Sequence, residues 1–300
     1  MKQTRALGSR PTSGFLVLAA IIIIMLSPAS ASALDIGAEL LFGNMNLPWA
    51  EDAPIADANY PADLWLYGAR VSLSEELGEN FSLETSYITD PVIRHIVRSV
   101  VAYESGIVRI AAGPVLGLFN TVGTPIKAGI SVNMRIDVPG IIFVSARADS
   151  SMGAGLMAEG DYAQELAELE AGWYVFNAIC SASLVTRKFY RVVAADQILA
   201  DASNRYAFSV DIFKKSSPYR LLLSLGYQDL TRTYPDTTID KLGLLFIGTR
   251  VNAQIDSRLS IVTELESGVY AFGLEALTGR GPDPNTFMFR VSAGIRLRLG

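Results

Sequence analysis

His95 is the only histidine of the chain, and so the only side chain that titrates near neutral pH without help from its surroundings. Asp90 and Ser99 lie close by in sequence, and a histidine with a serine and an aspartate is the raw material of acyl transfer. No spacing or motif ties the three together, so the expectation is a solvated histidine at a strand end and no catalytic residue. The single cysteine, Cys180, sits among Ala178, Ala182 and Leu184 and reads as a small apolar filler. No cluster of Cys, His, Asp and Glu has the spacing of a metal site, and no cofactor is expected.

The charges carry more information, because they fall on alternate positions of apolar stretches. In the last stretch Phe287, Phe289, Val291, Ala293, Ile295, Leu297 and Leu299 alternate without exception with Met288, Arg290, Ser292, Gly294, Arg296 and Arg298. A period of two is a β-strand with one apolar and one polar face. The same pattern runs through Ile126 to Asp137, where Lys127 and Arg135 occupy the polar face. Extended over the chain, it places Arg70, Arg109, Lys127, Arg135, Arg147, Arg220, Arg250, Arg290, Arg296 and Arg298 on the polar side. Glu84, Glu104, Asp211, Glu264 and Glu266 fall there too. Both signs on one face interspersed with Gly, Ser and Asn suit a wet lumen with a transverse field; a closed ion-pair network is the competing reading.

The elements that must hold these residues can be counted. Lys2, Arg5 and Arg10 precede an apolar run from Phe15 to Leu26 and then Ala31-Ser32-Ala33, the pattern of a secretory signal peptide over residues 1–33. Without Lys2, Arg5 and Arg10 the 25 basic residues become 22 against 30 acids, and nucleic acid is an unsuitable partner. Half of the chain is hydrophobic, yet residues 34–300 hold no second apolar run long enough to span a bilayer as a helix. Hydrophobicity without a helical span predicts a single domain that is an all-β, transmembrane, antiparallel up-and-down barrel. The alternation gives about fourteen strands, or twelve if the weak stretches around His95–Glu104 and Phe189–Ala195 do not pair. One turn is predicted at Thr186-Arg187-Lys188 and a bulge at Gly268. Aromatics at strand ends, among them Phe42, Tyr67, Tyr87, Tyr174, Tyr206 and Tyr227, predict a girdle at the outer rim. Connections alternate between short and longer, as expected for turns inside and loops outside.

The segment Ser150–Glu170 holds Glu159, Asp161, Glu165, Glu168 and Glu170 and no base, and Ala163–Glu170 could form two helical turns. It is predicted to be an outer loop that either folds inward as a constriction or stays in solvent. With the acidic loop Asn44–Asp63 it makes an acidic mouth, which predicts weak cation preference.

The closing strand, following many similar ones, resembles the last strand of bacterial outer-membrane β-barrels, although it ends on Leu299-Gly300 where an aromatic is usual. Length and strand number resemble small porin-like barrels of about fourteen strands. That resemblance implies a porin-like channel for passive diffusion of small hydrophilic solutes or ions, with no enzyme activity. Its implied location is the bacterial outer membrane, and its implied partners are outer-membrane lipid, lipopolysaccharide-like glycolipid and the barrel-assembly machinery. The alternative is a scaffold whose acidic outer loops serve adhesion or envelope attachment. A third reading, a fatty-acid type channel for hydrophobic substrates, ranks lower because the sequence leaves no room for a hatch before the first strand.

Overall fold

The computed structural model describes residues 33–44, 66–90, 94–118, 126–151, 162–194, 197–213, 217–237, 239–272 and 288–299. The expected leader, apart from Ala33, and the acidic loop after Asn44 lie outside the described residues. Fourteen strands follow one another: β1 (Leu34–Gly43), β2 (Leu66–Glu76), β3 (Phe81–Asp90), β4 (Arg94–Ser105), β5 (Val108–Leu118), β6 (Ile126–Val138) and β7 (Ile142–Ser151), then β8 (Tyr162–Val175), β9 (Ala178–Ala194), β10 (Gln197–Phe213), β11 (Tyr219–Thr233), β12 (Ile239–Gln254), β13 (Leu259–Phe272) and β14 (Phe289–Leu299). Each pairs antiparallel with its neighbours in sequence, and β1 closes on β14 from Leu34 opposite Leu299 to Gly43 opposite Arg290. No sheet edge is left open, which is the condition a sheet must meet in hydrocarbon.

Following the register once round the sheet from β1 back to β1 displaces the chain by fourteen residues. The shift is even, so inward residues meet inward residues when the barrel closes. One residue of stagger per strand sets a rise of ~3.3 Å against a strand separation of ~4.8 Å, giving a tilt of about 35° and a mean backbone radius of about 13 Å.

The faces are those the alternation dictates. On β6, Ile130, Val132 and Met134 are 44–46% exposed, whereas Ser131 between them is fully enclosed. The exterior continues through Leu40, Ile110, Leu116, Val144, Leu225, Ile247 and Ile295, a band of large apolar side chains that water would not tolerate and lipid would. Near the loop end Phe42 packs against Tyr67 and Phe289, and Tyr206 lies opposite Tyr227 midway along β10 and β11. At the turn end Phe81 packs on Tyr103 and Trp173 on Phe208. Aromatics therefore mark both rims and not the outer one alone. Tyr174 belongs to neither: it faces inward and its hydroxyl donates to Asp137 at 2.9 Å.

The strand number matches the sequence reading, but three strands sit elsewhere along the chain. Thr186-Arg187-Lys188 is not a turn; it lies in mid-β9, with Thr186 and Lys188 outward and Arg187 inward. The turn is at Phe176-Asn177, where Phe176 takes the left-handed region (φ 51°) and is fully exposed. Residues Ala163–Glu170 form strand, not helix, and belong to β8. Polar outward residues misled the sequence reading because β8 to β12 outrun the apolar band. Seventeen residues of β9 or β10 rise about 46 Å at this tilt, against a band of about 25 Å. Above it the exterior turns polar: the Thr186 hydroxyl donates to Asn204, and the Asn204 side chain donates to Asp229. The bulge expected at Gly268 is present, with Leu245 opposite Tyr270 and Phe246 opposite Gly268, which leaves Val269 unpaired.

Candidate functional site

His95 faces outward beside Tyr87. Its Nδ1 lies 2.8 Å from the Tyr87 hydroxyl and the two rings stack, both on the outward face. Asp90 points the other way and is held by Arg187, while Ser99 lies 3.0 Å from Thr85. The described residues contain no group of three or more His, Cys, Asp and Glu suited to a metal.

The residues expected to line the lumen are brought together, most of them in ion pairs within a strand or between adjacent strands and a few in pairs that reach over several strands. Glu39 on β1 accepts from Arg70 on β2 at 3.2 Å, from Arg250 on β12 at 3.0 Å and from Ser292 at 3.2 Å. Glu264 lies 3.6 Å from Arg250 and 3.9 Å from Arg70. Glu266, 4% exposed, is gripped by Arg290 at 3.1 Å and by both terminal nitrogens of Arg205, whose guanidinium lies 3.8 Å above the Phe246 ring. On the opposite wall Arg109 pairs with Glu84 and lies 3.9 Å from Glu104, and Arg147 lies between Asp149 and Glu168 at 3.2 and 3.3 Å. Toward the turn end Arg220 pairs with Asp211, Arg298 with Asp35, and Arg135 with Asp137. Arg135 also covers the inward Phe143 at 4.1 Å. Lys127 faces inward beside Asp149, Tyr162 and Gln164 around a cavity of about 20 Å³.

The bridge that reaches over the most strands among the described ion pairs was hidden in the sequence. Arg187 on β9 donates two bonds to Asp90 on β3, at 2.9 and 2.7 Å, and its Nε donates to Gln164 at 3.0 Å. Walls six strands apart in a circular barrel of this radius would stand about 25 Å from each other. An arginine and an aspartate with the bond between them reach about 13 Å, so the barrel is flattened here. Tyr162 stacks on Phe189 beside this bridge, and its hydroxyl donates to the Gly117 carbonyl at 3.0 Å. Arg187 falls in the turn expected at Thr186-Arg187-Lys188, and Gln164 and Tyr162 in the loop expected over Ser150–Glu170.

A constriction therefore exists, but strand side chains build it. Of the acids expected in the outer loop, Glu165, Glu168 and Glu170 are on β8. Glu168 and Glu170 lie on the inward face and Glu165 is outward, in register with Lys188. Glu159 and Asp161 lie outside the described residues. The acidic mouth thereby loses three of the nine acids on which the expected cation preference rested.

Toward the turn end the lumen widens into a cavity of about 490 Å³, lined by serine, asparagine and glutamine between charged groups. Arg98 and Arg296 border it, and neither has a carboxylate partner among the described residues. Arg98 donates from Nε to Ser131 at 2.7 Å, and its enclosed Nη2 has no acceptor. In the turn between β12 and β13, the Asp256 carboxyl is held below the usual carboxylate range by the backbone N–H groups of Arg258 and Leu259, at 2.7 and 2.8 Å.

No protein-family model and no curated protein matches the chain. Among solved structures it is similar to OmpT, an outer membrane protein of Vibrio cholerae, with 9% identity over 91% of this chain and 99% of that one, at a TM-score of 0.41. It is similar to the anion-selective porin from Comamonas acidovorans, with 11% identity over 90% and 99% of the two chains and a TM-score of 0.40. The NanC porin gives 9% identity, 89% and 100% coverage and a TM-score of 0.44. On its own geometry, with closed antiparallel pairing, an apolar exterior between two aromatic rims and a charged interior, the chain is a fourteen-stranded up-and-down β-barrel of the outer-membrane type.

Proposed function

We propose that the protein is a porin-like channel of a bacterial outer membrane through which small hydrophilic solutes or ions diffuse passively. The observation that carries this reading is the polar cavity of about 490 Å³ inside a barrel whose outer surface is apolar. A barrel of this radius exceeds the eight-stranded size that side chains fill, and its interior charges favour water over lipid or a hydrophobic solute. The bridge of Arg187, Asp90 and Gln164 then acts as the size filter. The turn end, which carries the start of β1 and the end of β14, faces the periplasm, and the long strands β8 to β12 rise among outer-leaflet glycolipid headgroups. The protein reaches the membrane by a cleaved leader and the barrel-assembly machinery, and performs no catalysis.

A second reading is a scaffold for surface attachment. The tall polar wall of β8 to β12 favours it, because a channel needs no such extension. Planar-bilayer recording separates the two: stepwise conductance supports the channel, and a correctly folded barrel that never conducts supports the scaffold.

A further inference from the structure

We propose that the cavity at the turn end is a binding site for a small oxyanion, a carboxylate or phosphate compound, drawn there by Arg98 and Arg296 on its walls. This deepens the channel reading and rests on it for its physiological sense, although binding can be measured without conductance.

The carboxylates that border the cavity are already satisfied. Asp35 takes two bonds from Arg298, at 3.0 and 3.1 Å, and Glu84 is held by Arg109. Asp256 accepts from the backbone of its own turn. The two guanidiniums differ. Arg296 on β14 makes no ion pair or hydrogen bond among the described residues, and Arg98 on β4 makes one bond, to a hydroxyl, and no ion pair. An arginine presents five donors in a fixed fork that matches an oxyanion. Neither fork is in an ion pair, and with Arg258 and Arg298 they line the cavity against Asp35, Glu84 and Asp256, a local surplus of positive charge in a chain whose formal net charge is −5.

The neighbours fit a polar ligand. Ser72, Ser86, Asn252 and Gln254 line the same space and offer hydroxyl and amide groups to the rest of the molecule. The volume lies within the range of small-molecule sites. Each neighbouring pair of arginines, Arg109 with Arg147 and Arg70 with Arg250, is tied to glutamate or aspartate. Arg98 and Arg296 are thus placed to attract an anion that the rest of the network does not hold. The consequence for permeation is anion preference, the reverse of what the acidic loops suggested.

The test uses the full mature barrel folded in detergent, titrated calorimetrically with inorganic phosphate and separately with gluconate. One or both should bind, and whichever binds identifies the source of the oxyanion. Binding should weaken about ten- to hundredfold in the double variant Arg98→Gln, Arg296→Gln and recover in part in Arg98→Lys, Arg296→Lys. Heat-dependent gel migration shows that each variant has folded, and if the Gln pair does not fold, the two single Lys variants and Asn252→Leu give the same comparison. Absence of binding by both probes, or equal binding by the folded variants, overturns the proposal. A barrel that binds but does not conduct refutes the channel and leaves this site standing. One that conducts without binding refutes the site alone.

Discussion

Ile295 offers a direct test of which face meets lipid. It is on β14, 51% exposed on the exterior, with Ala38 and Ile261 in register on either side. Four residues separate it from Leu299, an axial rise of about 11 Å at the barrel's tilt, which puts it near the middle of a band about 25 Å tall. Ile295→Arg places a guanidinium there at a cost of ~2–4 kcal/mol, a factor of about thirty to a thousand in the folding equilibrium. Ser260→Arg is the control, because Ser260 borders the cavity and a new arginine would be solvated, with an expected effect within ~1 kcal/mol. Reversible denaturant unfolding in lipid vesicles reads both. Equal losses, or a larger loss at Ser260, would mean that the apolar face is not the lipid face.

Other outcomes follow from the ion pairs. Arg187→Gln should raise single-channel conductance by removing the bridge to Asp90, whereas an unchanged or lower conductance would show that the flattening persists without it. Glu266→Gln leaves Arg205 and Arg290 without their shared carboxylate in a nearly enclosed position and should cost ~3–5 kcal/mol in unfolding experiments; a loss under ~1 kcal/mol would imply a well-hydrated pair. Asp256 has a depressed folded-state pKa, so its contribution to stability is present above its unfolded pKa and is lost as pH falls through the folded value. The stability gap between the native chain and Asp256→Asn should therefore close on acidification, and a gap that widens would reverse the assignment.

The alternation of residues gave away the inward and outward faces, and for a physical reason: lipid outside and water inside constrain every second residue of a strand. The fifteen charged residues placed on the polar side, from Arg70 to Arg298, lie on the inward face. What the sequence hid lies where that constraint lapses. Above the apolar band Thr186, Lys188 and Asn204 are outward and polar, so the two faces of β9 and β10 look alike and a strand reads as a turn. The true turn at Phe176-Asn177 carries no glycine to announce it, unlike those at Gly106 and Gly140, whose φ values are 61° and 75°. The Arg187–Asp90 bridge joins residues 97 positions apart, and no periodicity reports which opposite walls a barrel brings together when it flattens.

A wet interior inside a lipid-facing exterior is tested most directly by cysteine labelling of alternate positions in vesicles, with Cys180 first replaced by alanine. Asn252, Gln254 and Ser260 border the cavity, and Val251, Ala253 and Ile261 alternate with them on the exterior. With a water-soluble maleimide, cysteines at the first three should label and those at the second three should not. Labelling of both sets, or of the exterior set alone, would contradict the account.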